Sequence, residues 1–376
     1  MKQKEIEDFL RDRPGYLRWG AGKLANYLQA DVSKCKKALK AIKGDKIKTH
    51  EENLILNSRW FNGKQWCESF KNSPTDPDPI TDEDWIEILK DIGPIETLVS
   101  INEPLEINRT LIIWSSDKHI GASIPSDSLY KREYDQHIFH ERMVKIYDKV
   151  AEYKHTYGKF DKIVIADLGD SLDGLNQMTT RGGHRLPQNL SNKEAARVHF
   201  FSHKWLYDSV VTADLANEIV IFNVTNDNHS GDFGWHACFA LEQYATLRWP
   251  NVKFYNQEEF LGHYLLYNRA YITTHGKDKK NKKFGLPLKV NADVESFMMD
   301  YAIDRKFSHL DLHVRKGDLH MNDLDCSRLR MSYFNVGSVF GSSDWIMDNY
   351  SDSKPSCVFE VVEEGNNDIN AKIVWL

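Results

Sequence analysis

The chain has 376 residues, 28% of them charged and 41% hydrophobic, with a formal net charge of −6. That length favours two or more domains with at least one sizeable core, and the mixture is the ordinary one of a soluble protein. The charge excludes a polycation, no apolar run is long enough to cross a bilayer, and five scattered cysteines (Cys35, Cys67, Cys238, Cys326, Cys357) suit a reducing cytoplasm better than a disulfide framework.

The N-terminus, Met1-Lys2-Gln3-Lys4-Glu5, leads into an amphipathic segment and not into a secretory apolar stretch. Phe9 and Leu10 close a first short helix, broken near Pro14-Gly15. A second is expected over Ala21 to Ala30, with Leu24, Ala25 and Leu28 on one face. Ser33 can cap a third, in which Cys35, Ala38, Leu39 and Ile42 face inward and which stops at Gly44-Asp45. Residues 33–48 also carry Lys34, Lys36, Lys37, Lys40, Lys43, Lys46 and Lys48. Three short helices with a basic last one resemble a helix-turn-helix or winged-helix module, in which a helix enters the major groove and lysines meet phosphates. A protein-docking module is the alternative for so small a unit. Ile47 to Trp60 is a candidate wing, so the module is placed at 1–60. Pro74, Pro77 and Pro79 mark a linker, followed by a short helix with Trp85, Ile86, Ile88 and Leu89, together filling 61–106.

From 107 to 376 strands and helices alternate. Thr110 to Trp114 is a buried-strand candidate that ends at Asp117-Lys118-His119, before a long helical region from about Asp127 to Tyr153. Lys162 to Ala166 runs into Gly169-Asp170-Ser171-Leu172-Asp173. A helix over about Lys193 to Ala213 leads to the strand Glu218 to Val224, which reaches Asp227-Asn228-His229. Tyr271 to Thr273 runs into His275, and the alternating stretch from His309 to Val314 leads to Gly317-Asp318-Leu319-His320. Each cluster follows the carboxyl end of a strand, where α/β sheets place ligands and metals. Carboxylates, imidazoles and a carboxamide are also the groups that hold two divalent ions side by side.

Each component alone has a plainer reading. Gly169-Asp170 could be a turn, Asp117 a helix cap, and Asn228 an organiser of its loop. His309, Asp311 and His313 alternate as a strand would, with Gly317 providing a tight turn after them. His263 is expected to be a partly buried packing residue, and His236 to help order a substrate pocket.

The five clusters, in their order, resemble the calcineurin-like metallophosphoesterase family, whose pattern is Asp-x-His, Gly-Asp-x-x-Asp, Gly-Asn-His-Asp/Glu, His and Gly-His-x-His. The chain departs from it at Asp227 in place of glycine, at Ser230 in place of the acidic residue, and at Asp318 in place of the first histidine of the last motif. The resemblance covers about 108–345 and implies an α/β fold, a two-sheet metallophosphoesterase sandwich with flanking helices. Tyr333 to Gly341 would be its closing strand and turn, and Phe359–Val361 with Ala371–Trp375 late strands covering or extending the second sheet.

The resemblance further implies that Asp117, His119, Asp170 and His320 surround one ion, and that Asp170 bridges to a second held by Asn228, His275 and Asp318. His229 would contact the phosphate and assist the leaving oxygen, with Asp173 supporting from behind. The cofactors implied are two divalent ions, Mn²⁺ first, with Mg²⁺, Zn²⁺ or a mixed pair as alternatives. Arg181, His184, Arg185 and Lys277, the last opening a lysine-rich run, are candidates for substrate phosphate. The function expected is a metal-dependent phosphodiester hydrolase, a DNA nuclease first, resembling the DNA-repair exonuclease branch and phage-encoded members. The alternatives are a small-nucleotide phosphodiesterase or phosphatase, and a DNA-binding regulator with a degenerate site. The expected partner is DNA or a small phosphodiester, with no membrane, in the cytoplasm (the host's, if phage-encoded).

Overall fold

The computed structural model describes residues 2–12, 25, 28, 31–40, 54–61, 66–72, 108–249, 251–278, 285–349 and 352–376. The chain divides into two compact units, Met1–Glu87 and Ile88–Leu376.

The first unit contains α1 (Gln3–Asp12), α2 (32–40) and an antiparallel hairpin of β1 (Leu54–Phe61) and β2 (Trp66–Asn72). Ile6 and Leu10 share a small core with Ala25, Cys35, Ala38 and Leu39, while Leu28 packs half-buried against it. Lys34, Lys36, Lys37 and Lys40 lie exposed along α2. The cap of α2 differs from expectation: Asp31 Oδ1 accepts from the backbone N–H of Ser33 at 2.9 Å and of Lys34 at 3.2 Å. Ser33 contributes only a hydroxyl to the same oxygen, at 2.6 Å. Strand β2 falls in the stretch expected to be a linker. The register shift between Leu56 and Ser58 breaks the alternation by which such a hairpin is legible. Pro14-Gly15, Ile42, Pro74–Pro79 and Trp85–Leu89 lie outside the described residues.

The second unit is mixed α/β, with two sheets and flanking helices. The first sheet has six strands in the order β13-β12-β3-β4-β5-β6. Its parallel part is β3 (Arg109–Ser115), β4 (Phe160–Asp167), β5 (Ala216–Val224) and β6 (Val252–Gln257). Strands β12 (Ser356–Glu363) and β13 (Asn370–Trp375) join antiparallel beside β3, so the late strands extend this sheet and not the second one. The second sheet has the order β10-β11-β9-β8-β7, with β7 (Gly262–Leu266), β8 (Arg269–Thr274), β9 (Asp311–Lys316), β10 (Asp323–Asp325) and β11 (Met331–Asn335).

The long crossover helices are α3 (Gln136–Tyr157), α4 (Asn192–Thr212) and α5 (Gly231–Arg248). Helix α3 starts later than expected because Asp135 accepts from the N–H groups of His137 and Ile138 and so fixes its first turn. Helix α4 opens on a capping box in which Ser191 and Glu194 satisfy each other's backbone N–H. Helix α6 (Ala292–Asp304) covers the outer face of the second sheet, where Val294, Met298 and Ala302 pack with Ala270, Ile272, Leu312 and Val314. A short α7 (Asp344–Asn349) follows. No helix among the described residues is long and apolar enough to cross a membrane.

Ile112, Trp114, Val164, Val220, Phe222 and Val358 of the first sheet share a core with Leu266, Tyr271 and Phe334 of the second. Within it lies a fully buried ion pair: Arg315 of β9 donates through Nη2 to both oxygens of Glu360 of β12, each at 3.0 Å. The indole N–H of Trp114 and the hydroxyl of Tyr271 also donate to Glu360, each at 2.9 Å. Burial would push the Glu360 carboxyl up, but Arg315 leads the groups that hold it below its ordinary value. Because Arg315 precedes the loop that carries Asp318 and His320, the pair also anchors that loop's root. Arg315→Met leaves the buried Glu360 carboxylate to the more distant Arg269, 3.7 Å away, and is expected to cost about 3 kcal/mol in urea unfolding, partly recovered by adding Glu360→Gln. A loss under about 1 kcal/mol would show that the pair does not clamp the sheets.

Candidate metal centre

The parallel strands β3, β4, β5 and β8 all release their chains at one edge, and each loop there delivers candidate ligands. Asp117 and His119 come from the loop after β3, Asp170 and Asp173 from that after β4, Asn228 and His229 from that after β5, and His275 from the end of β8. His320 and Asp318 come from the loop after β9. Side chains from five loops therefore meet, as their sequence positions suggested.

Three overlapping groups have ligand atoms within 4.8 Å of one another: Asp117, His119 and His320; Asp117, Asp170 and His275; and His119, Asp170 and His229. Sharing of Asp117, His119 and Asp170 between groups is what two neighbouring cations require. Asn228 Oδ1 lies 3.1 Å from His275 Nε2, and Asp170 Oδ2 lies 3.0 Å from the same nitrogen. Asp318 is set back: its Oδ1 is 4.0 Å from His275 Nε2 and 3.8 Å from Lys277 Nζ. His229, expected to meet substrate, also falls within ligand range of His119 and Asp170.

All four histidines are held alike. His119 donates from Nδ1 to Asp173 Oδ1 at 2.9 Å, and His275 from Nδ1 to the Leu168 carbonyl at 2.9 Å. His320 donates from Nδ1 to the Gly341 carbonyl at 2.8 Å, and His229 from Nδ1 to the Asp173 carbonyl at 2.9 Å. With Nδ1–H committed to an acceptor, Nε2 is the ligand atom left to each ring once it carries no proton. The Nε2 atoms of His119 and His320 face each other at 3.2 Å, and the buried Asp117 Oδ1 beside them has no hydrogen-bond partner. Two nitrogen lone pairs and an orphaned carboxylate oxygen converging in a buried space need a proton or a cation between them. The donor set thus fits divalent ions.

The electrostatics say the same. Burial would raise the Asp117 carboxyl, yet His320 and His119 hold it well below its ordinary value. Asp170 is likewise held low despite its burial, chiefly by His275 and His229. His119 is pushed up to about 10, because Asp117 and Asp173 outweigh the burial that opposes its charge. His275 is raised well above the ordinary imidazole value, against its burial, mainly by Asp170. Surplus carboxylate charge is recruiting positive charge, as protons or as metal.

The backbone is bent to achieve this. Asp117 (φ 51°), His119 (φ 46°), Asp170 (φ 50°), Asp318 (φ 72°) and His320 (φ 57°) are five of eleven non-glycine residues with left-handed backbone among the described residues. Each such position costs on the order of 1–3 kcal/mol and persists only when its surroundings over-determine it. Gly169 (φ 102°) is required twice over, since a Cβ there would lie 2.9 Å from His275 Nδ1. The tight turn expected at Gly317 is present, Leu319 N–H donating to the Gly317 carbonyl at 3.0 Å, but Asp318 and not Gly317 takes the left-handed backbone. A Cβ there would lie 1.9 Å from Ser116 Oγ, so close approach is its reason.

Several supports were not singled out from sequence. Asp227, noted only as a departure from glycine, receives Ser230 N–H (2.9 Å) and Gly231 N–H (2.8 Å) at the start of α5. Its other oxygen receives Ser230 Oγ (2.7 Å) and Asp170 N–H (3.0 Å), so it seats the Asp170 loop. Burial, with Asp170's charge added, pushes Asp227 up to about 7. Ser116 donates to Asp117 Oδ2 at 2.5 Å, and buried Lys118 pairs with Asp167 Oδ2 at 2.6 Å behind the loop. Lys316 Nζ donates to the Gly317 carbonyl at 2.6 Å and to Asn335 Oδ1. A serine adjoining Asp117 was a readable hint; the others depend on contacts far apart in the chain.

Other expected residues spread out. Arg181 N–H and Thr180 N–H donate to the carbonyls of Asn228 and His229, each at 3.0 Å, so that loop hangs beside the centre. Within it His184 and Arg185 are exposed. Lys277 stands beside Asp318, while the lysine run after Asp278 lies outside the described residues. His313 is a buried strand residue whose Nδ1 faces Ser332 Oγ at 2.8 Å. His263 is more exposed than expected, with its ring against Phe307 and its Nδ1 3.0 Å from the Tyr301 hydroxyl.

No family model matches the chain, and no curated protein matches it. Among solved structures, it is similar to Yfce, described as a phosphoesterase from E. coli, at 15% identity and a TM-score of 0.31, over 70% of this chain and 98% of that one.

A proton held by His119 up to about pH 10 must leave before Nε2 can ligate. Affinity for Mn²⁺ is therefore expected to rise with pH below that value, by about tenfold per unit for one displaced proton. Titration calorimetry between pH 6.5 and 8.5, in two buffers of different ionisation heat, should register proton release. Binding independent of pH would contradict this ligand role.

Proposed function

We propose that the chain is a metal-dependent phosphodiester hydrolase with a dinuclear centre, and that its substrate is DNA. The observation that carries the reaction class is the set of four tethered imidazoles whose Nε2 atoms face Asp117 and Asp170. Asp117, His119, Asp170 and His320 would hold one ion, and Asp170, Asn228 and His275 the other, with Asp318 completing it from the rim. Bound divalent ions supply Lewis acidity toward phosphate and make water acidic enough to attack at neutral pH.

The protein's own residues do the rest. His229 is half-buried, anchored at Nδ1, and raised above its ordinary value against burial by Asp170 and then Asp173. It is therefore suited to keep a proton near neutral pH and pass it to the leaving oxygen. Asp173 fixes both His119 and His229, so ligand and acid keep their mutual placement. Lys277 at the rim favours an anionic substrate.

The DNA reading draws support from the first unit, where helices precede a hairpin as in winged-helix modules and lysines line α2. Cytoplasmic placement is supported by the free state of Cys35, Cys238, Cys326 and Cys357.

The test is Mn²⁺-supplemented cleavage of end-labelled single- and double-stranded DNA, RNA and bis-p-nitrophenyl phosphate. Asp170→Asn is expected to lose bound metal and at least about 100-fold of activity. His229→Ala should lose about 10²–10⁴-fold in kcat. Unchanged cleavage by both variants would sink the assignment, and cleavage of the small diester alone would remove DNA from it.

A further inference from the structure

A recess of about 290 Å³ opens between the start of α5 and the ends of β5 and β6, lined by Thr225, Asp232, Trp235, His236 and Glu258. It lies past the carboxyl ends of parallel strands, the edge that also carries the metal loops, where open sheets take ligands. Asp232 is three residues from His229, so their Cα atoms are at most about 11 Å apart, within the span of one nucleotide's sugar and base.

Two of the lining residues, Trp235 and His236, are aromatic, and Phe239 stacks on Trp235. The rings of Trp235 and Phe239 stack with centroids 5.3 Å apart and planes 8° from parallel, and His236 meets the Trp235 edge at 5.0 Å. Phe239 is 42% exposed. The indole N–H of Trp235 donates to Glu258 Oε1 at 3.0 Å, which fixes its plane. A pre-oriented flat ring favours stacking, because little rotamer freedom is left to lose.

Charge selects the occupant. Asp232 and Glu258 bring carboxylate oxygens to the recess, acceptors for the N–H groups of a heteroaromatic ring. Lys277, and the cations that the centre would hold, would offer phosphate the opposite field. We infer that the recess beside Trp235 is a nucleobase subsite, taking the base next to the scissile phosphate while the metal loops take the phosphate. This deepens the phosphodiester reading and rests on it.

The experiment compares thymidine 5′-p-nitrophenyl phosphate with methyl p-nitrophenyl phosphate, which share a leaving group and differ by the nucleoside. Trp235→Ala is expected to raise KM about tenfold for the thymidine ester, with kcat unchanged and both constants for the methyl ester within twofold. Trp235→Phe, which keeps a flat ring and loses only the bond to Glu258, should restore most of the affinity. An equal KM change for both esters, or none for either, overturns the subsite. If the wild-type chain hydrolyses neither ester, the hydrolase reading fails on its own account. Saturation-transfer NMR with thymidine 5′-phosphate then decides the subsite: base-proton signals lost in Trp235→Ala uphold it, and signals absent from the wild type or unchanged in the variant reject it.

Discussion

Four imidazoles whose Nδ1–H groups are all committed to acceptors set the terms for everything around them. A histidine can ligate through either nitrogen, and an untethered ring would sample both. Here backbone carbonyls of Leu168, Asp173 and Gly341 and the carboxylate of Asp173 engage every Nδ1, so Nε2 is left as the ligand atom of each ring. Two of those carbonyls belong to the second loop, which places its own aspartates at the same time. The centre is thus built from backbone shape as much as from side chains.

That shape is costly, and the cost explains the density of supports. Left-handed aspartates and histidines would relax into ordinary loop conformations if nothing opposed them. Asp227 opposes it by gripping Asp170 N–H together with the start of α5. Ser116 and the N–H of Asp318 converge on Asp117 Oδ2, at 2.5 and 3.2 Å, so the first and last loops lock through one oxygen. Behind them, Arg315 and Glu360, with Arg269 3.7 Å from the same carboxylate, join the two sheets inside the core, and the strand that leads into the last loop cannot slide without breaking the pair.

Much of this was legible in the chain. Strands β3, β4 and β5 announce themselves as unbroken Val/Ile/Leu runs because both their faces are covered, and each ends at a polar cluster that marks a loop. Asp117, His119, Asp170, Asn228, His229, His275 and His320 were named through the family resemblance that their order carries, and the structure brings them together. What escaped depends on distant partners. Asp227 reads as a lost glycine until Asp170 N–H and the first turn of α5 stand above it. The late strands could have joined either sheet, since periodicity reports which residues are buried and not against which neighbour. The β1–β2 hairpin was half-read because a register shift erases the alternation that would have revealed it.

Asp173 offers its side-chain oxygen to His119 and, through that oxygen and its own carbonyl, reaches His229. In the proposed reaction a single residue would therefore govern both how firmly a cation is gripped and how readily a departing alkoxide receives its proton. Natural variation at this position could not tune one property alone. Turnover and metal preference would have to drift in tandem, and any lineage that exchanged its ion would inherit a changed acid strength as well.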